Sequence, residues 1–133
     1  MFVLESESVV YFDVDETLIS FDERYKNLPK KKIGPEGSRL DGYINEKLIA
    51  KIKEHRARNH AIVVWSAGGY QWALDVVTAL KIEDHVDAVM AKPRWFYDDQ
   101  PSNVFMDDKV RIHYRIDGSY VQTDGGYQIH EED

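Results

Sequence analysis

Cysteine is absent from the chain, which excludes a disulfide framework, a thiolate zinc site and a cysteine nucleophile together. No apolar run approaches the roughly 20 residues that cross a bilayer. The first ten residues carry Glu5 and Glu7 and no basic residue, so they do not read as a signal peptide, and a cytoplasmic protein is the expectation. Basic residues are outnumbered, 17 Lys and Arg against 24 Asp and Glu, for a net charge of -7. That balance argues against a dedicated duplex-DNA binder, without excluding one local basic patch. What is present is a chain of 133 residues, 43% hydrophobic and 31% charged, enough for one globular domain spanning 1–133 and one core. Its five histidines are scattered without metal-ligand spacing, so any chemistry rests on carboxylates, hydroxyls and lysines.

Periodicity places those groups. Val9-Val10-Tyr11-Phe12 is a short apolar run that stops at Asp13, as in a buried parallel strand. From Asp15 to Asp41 the chain is polar and punctuated by Pro29, Gly34, Pro35 and Gly37, which predicts an irregular loop or small flap. A helix is expected from an Asp41 N-cap through Ile44, Leu48, Ile49 and Ile52 to about Arg58, closed by Asn59 or His60. Ala61 to Trp65 reads as a second buried strand ending at Ser66-Ala67-Gly68-Gly69. A second amphipathic helix follows through Ala73, Leu74, Val77 and Leu80. Val86 to Met90 is a weaker strand leading to Lys92, and Val104 to Met106 a short one leading to Asp107-Asp108. This alternation predicts an α/β fold, a parallel sheet with helices on both faces. Beyond it Val110, Ile112, Tyr114 and Ile116 alternate, Asp117-Gly118 is a turn pair, and Ser119 to Thr123 returns, which predicts a C-terminal β-hairpin.

Each expected parallel strand thus ends in a group suited to a phosphate or a metal: Asp13 and Asp15, then Ser66, then Lys92, then Asp107 and Asp108. Ligands of open α/β sheets bind just beyond the carboxyl ends of the strands, where these groups converge. Several carboxylates gathered there repel one another unless a cation holds them, and hard oxygen donors select Mg²⁺. Residues two apart at an extended strand end point the same way. One carboxylate of Asp13-Val14-Asp15 can therefore attack phosphorus while the other serves the leaving oxygen as acid and then water as base.

These motifs, an apolar strand with Asp13-Val14-Asp15-Glu16-Thr17, a strand ending in Ser66, Lys92, and Asp107-Asp108 after a strand, resemble in order those of the haloacid dehalogenase superfamily. The resemblance runs from Val9 to Asp108 and implies a Rossmann-like fold and a Mg²⁺-dependent phosphatase. It makes Asp13 the nucleophile that becomes phosphoaspartate and Asp15 the general acid and base. Ser66 with the backbone N–H of Ala67, and Thr17 beside them, would hold the phosphoryl group, and Lys92 would steady both nucleophile and phosphate. The metal would sit on the Asp13 carboxylate, the Asp15 carbonyl and Asp108, with Asp107 either ligating too or supporting the ligands.

Neither interval between motifs leaves room for a sizeable cap domain once its helix is placed. The implied site is open, or covered by a second copy of the chain. Arg24, Lys26, Lys30, Lys31 and Lys32 in the flap are candidates to grip further phosphates, and Trp95-Phe96-Tyr97 to line the pocket, whereas Trp65 and Trp72 are expected in the core. The substrate class stays open among a nucleotide, a nucleic-acid end, a sugar phosphate and a phosphoprotein. Two rival functions are a receiver-type phosphoacceptor, which would place its phosphorylated Asp after the third strand, and a catalytically silent phosphate-binding module, which would not need Asp15.

Overall fold

The computed structural model describes Met1, residues 3–99 and Ile116, together with the backbone of three later strands at 111–114, 120–123 and 129–132. Its centre is a parallel sheet of β1 (Val9–Asp13), β5 (Ala61–Ser66) and β6 (Ala88–Ala91), in the order β1-β5-β6. The register sets Phe12 beside Val64 and Asp13 beside Trp65, then Ser66 beside Ala91. The α/β class expected from the sequence is therefore present, with the carboxyl ends of all three strands on one edge.

Two helices connect these strands, α1 (Glu46–Ala57) and α2 (Tyr70–Leu80). Leu48 and Ile52 of α1 share one core with Ala73, Val76, Val77 and Leu80 of α2, and with Phe12, Ile62 and Val64 of the sheet. These strand residues lie on a single face, since paired and alternate positions point the same way. Among the described residues both helices thus cover one face, where the sequence suggested both faces. The strand order explains this. Two successive crossovers stepping in the same direction with the same hand bring their helices to the same side. The opposite face carries Tyr11 stacked on Trp65, ring centroids 4.3 Å apart.

The segment after β1 takes the second of the two forms expected of it, a small flap. It is an antiparallel sheet of β2 (Ile19–Ser20), β3 (Lys30–Ile33) and β4 (Leu40–Ile44) in the order β2-β4-β3, not an irregular loop. Lys30, Lys31 and Lys32 form its edge strand, where charged side chains stay exposed and discourage further pairing. Gly42 lies at the centre, where a Cβ would meet Ile33 Cδ1 at 2.6 Å and push the end of that side chain aside. Helix α1 consequently starts later than Asp41. Ile44 pairs with Ile19, and the cap is Asn45, whose side chain accepts a hydrogen bond from Leu48 N at 3.1 Å. The far end matches the reading, with Asn59 in the left-handed conformation at φ 61°.

The C-terminal hairpin is also present. β7 (Arg111–Tyr114) pairs antiparallel with β8 (Tyr120–Thr123), and β9 (Ile129–Glu132), which the sequence did not suggest, adds a third strand. The strand expected at Val104 to Met106 lies outside the described residues.

Candidate active site

Val14 begins the turn that shapes the site. Its carbonyl accepts hydrogen bonds from the backbone N–H groups of Thr17, Leu18 and Ile19 at 3.2, 2.9 and 3.2 Å, and Glu16 N–H donates to the Ile19 carbonyl at 2.8 Å. Closing so tight a turn puts Glu16 at φ 62°, a conformation that costs a non-glycine residue about 1 kcal/mol or more. Its carboxylate in return accepts from the buried Ser20 hydroxyl at 2.7 Å. Asn45 locks the turn to α1, since its side chain donates to the Thr17 carbonyl at 3.0 Å and its backbone N–H to the Leu18 carbonyl at 2.9 Å.

This scaffold aims three of the expected residues at one another. Lys92 Nζ lies 3.0 Å from Asp13 Oδ1, and the Thr17 hydroxyl donates to Asp13 Oδ2 at 3.1 Å. Lys92 is placed by its own backbone, whose N–H donates to the Ser66 carbonyl at 3.0 Å and carries β6 on past β5. Asp13 and Lys92 are each about one-third exposed at the side chain, open enough for a ligand to reach.

Ser66 stands at the end of the central strand, 1% exposed. Its Oγ accepts from Gly68 N–H at 3.0 Å, while its hydroxyl hydrogen has no acceptor among the described residues. The backbone N–H of Ala67 likewise has no partner among them. Gly69 then enters α2 at φ 104°, a conformation open to glycine, and no side chain caps the helix or adds an acid to its first turn. An anion placed here would meet the unpaired N–H groups that begin α2 and the positive end of its dipole.

Asp15 is turned elsewhere: both of its carboxylate oxygens accept from the indole N–H of Trp72 at 3.2 Å. Trp72 in turn lies 6.1 Å, centroid to centroid, from the Phe21 ring of the flap. Trp72 is thus a site residue that sequence reasoning placed in the core. It packs there in part, and the only clue in the sequence was its position in the first turn of the helix that follows Ser66. Trp65 is a half-buried partner of Tyr11. Trp95, Phe96 and Tyr97 follow Lys92 and are 76%, 58% and 97% exposed, so they stand out from the protein and do not line an enclosed pocket.

Among the described residues no three His, Asp or Glu side chains gather into a metal cluster. Asp107 and Asp108, expected as the third source of carboxylate, lie outside those residues. The donors that are described nevertheless suit a hard cation. Asp13 keeps lone pairs beyond those engaged by Lys92 and Thr17, and the carbonyl of Asp15, an exposed residue, accepts no hydrogen bond among the described residues. Both are oxygens, as Mg²⁺ prefers.

Comparison with known protein families, with curated proteins and with solved structures finds no match to this chain. The functional reading therefore rests on the residues themselves.

Proposed function

We propose that this chain is a Mg²⁺-dependent phosphomonoester hydrolase of haloacid dehalogenase type, a single Rossmann-like domain working through an aspartyl-phosphate at Asp13. The observation that carries the reading is the Asp13 carboxylate held between Lys92 and Thr17 at the end of β1. It lies one strand from a buried serine whose hydroxyl hydrogen has no acceptor among the described residues.

In this reading the substrate phosphate sits against the Ser66 hydroxyl, the Ala67 N–H and the Lys92 ammonium. These donors orient it and balance its charge, and most of the catalysis of phosphoryl transfer comes from such placement. An Asp13 carboxylate oxygen attacks phosphorus in line with the ester oxygen. The P–O ester bond breaks, and Asp15, initially protonated, gives its proton to the leaving alkoxide. Asp15, now a carboxylate, then takes a proton from water as that water attacks the phosphoaspartate. This releases inorganic phosphate and regenerates Asp13. The metal would be held by the Asp13 carboxylate, the Asp15 carbonyl and the Asp107-Asp108 pair, and when bound supplies positive charge beside the phosphoryl oxygens.

The test is turnover of a panel of phosphomonoesters by purified protein with Mg²⁺, including mononucleotides, oligonucleotides with terminal phosphates, sugar phosphates and phosphopeptides. Release of phosphate that the Asp13→Asn variant lacks supports the reading. Phosphorylation of Asp13 without turnover would point to a receiver-like acceptor, and no reaction of either kind would leave a silent binding module.

A further inference from the structure

The general acid proposed above has a partner of unusual chemistry. The nucleophile Asp13 is paired with a cation, Lys92, and a hydroxyl, which suits a group that acts as a carboxylate. Asp15 is bound instead by an indole N–H that approaches both of its oxygens at 3.2 Å. An indole nitrogen is a donor only; it carries no charge and has no lone pair to take a proton. It can therefore hold a carboxyl group in position without competing for the proton that this group must give and recover.

The surroundings of Trp72 make it a rigid support. It is the third residue of α2, and the Phe21 ring lies against it at a tilt of 34°. A Cβ added to Gly68 would stand in ordinary contact with Trp72 Cδ1 at 3.4 Å and closely against Ser66 Oγ at 3.3 Å, so the indole lies directly beside the turn that carries Ser66. A ring so confined, hinged at two torsions only, fixes the direction of its N–H better than a long flexible donor would.

We propose that Trp72 is the positioning residue for the general acid. Its N–H sets the Asp15 carboxyl in the orientation from which it protonates the leaving oxygen, and Phe21 transmits the position of the flap to that contact. The proposal rests on the acid and base role of Asp15 and adds to it.

The experiment compares the first-turnover release of the leaving group, before water attacks the phosphoaspartate, from an alkyl phosphate, whose leaving group needs a proton, and from p-nitrophenyl phosphate, whose leaving group does not. Four proteins are measured with Mg²⁺: the parent, Trp72→Phe, Asp15→Asn and the double variant. Trp72→Phe keeps an aromatic ring against Phe21 and removes the N–H. It is expected to lower the first-turnover rate of leaving-group release about tenfold for the alkyl ester and less than about twofold for the aryl ester, the later attack of water being common to both. In the Asp15→Asn background the same substitution should have no further effect on the alkyl ester, since the two residues act in one step. Equal losses on both esters, or full additivity with Asp15→Asn, would make Trp72 a packing residue and overturn the proposal. Should Trp72→Phe not fold, β-(3-benzothienyl)alanine at position 72, which replaces the N–H by sulfur in a ring of nearly the same shape, is held to the same criteria. An Asp15→Asn variant that slows both esters equally would instead remove the acid role itself, a separate failure from that of Trp72.

Discussion

Asn45 joins the turn after β1 to the helical layer, and its replacement gives a stability change that can be worked out in advance. The residue is 2% exposed. Its side-chain oxygen caps α1 through Leu48 N–H, and its amide nitrogen satisfies the Thr17 carbonyl. Asn45→Ala removes both. Loss of an N-cap costs about 1 kcal/mol, and the part-buried Thr17 carbonyl left without its donor costs about 1–3 kcal/mol, so the variant should be about 2–4 kcal/mol less stable than the parent. At about 4 °C per kcal/mol for a domain of this size, the melting temperature should fall by about 8–16 °C. Asn45→Ser separates the two contributions, because a serine hydroxyl can still cap the helix but is too short to reach Thr17. It should recover about 1 kcal/mol. Urea unfolding followed by circular dichroism reads both numbers. A loss below about 0.5 kcal/mol for Asn45→Ala, or a serine variant no better than alanine, would refute the claim that this side chain ties the turn to the helix.

His55 and His60 face each other with their Nδ1 atoms 2.9 Å apart, and burial first, then the charges of His60, Arg58 and Lys51, hold His55 below its ordinary pKa. The unfolded chain then binds the extra proton more readily, so this contribution to stability is full above about pH 6.5 and is lost as the pH falls below that value. The urea midpoint should drop between pH 7.5 and pH 5.5 by more in the parent than in His55→Gln, and an unchanged pH dependence would contradict it. Chelation should abolish activity. Mg²⁺ at about ten times its Kd should add about 1.4 kcal/mol of stability, read as a rise in melting temperature, with Ca²⁺ binding but supporting little turnover because of its looser coordination. Replacing Lys30, Lys31 and Lys32 by Ala should raise KM for substrates carrying additional phosphates, with a smaller salt dependence than the parent, and leave an aryl phosphate nearly unchanged. Identical kinetics on all of them would make these residues an ordinary charged edge strand.

The parallel strands could be read from the chain because each is a continuous apolar run stopped by a polar residue, as in Ala61 to Ser66. The candidate site residues Asp13, Ser66 and Lys92 could be read because they stand at those stops. The strands of the flap could not, since they carry the pattern of an edge rather than of a core. A run of three lysines has no apolar alternation to mark β3, and Gly42 and Asp41, which look like a turn and a helix cap, are tolerated in β4 because Ile33 fills the space beside the glycine. Ile44 fitted a helical spacing with Leu48 by coincidence; its burial comes from pairing with Ile19. The contact between Trp72 and Asp15 joins residues 57 positions apart, and an apolar ring in an amphipathic helix gives no sign that its one polar atom faces a carboxylate.

The account stands most directly on covalent phosphorylation of Asp13. Protein mixed with excess p-nitrophenyl phosphate and Mg²⁺, quenched in acid within the first turnovers and digested, should yield one peptide heavier by a single phosphoryl group. Fragmentation should place that group on Asp13, and the Asp13→Asn variant should yield none. Steady release of phosphate with an unmodified Asp13 at every quench time, or turnover retained in Asp13→Asn, would contradict the aspartyl-phosphate mechanism.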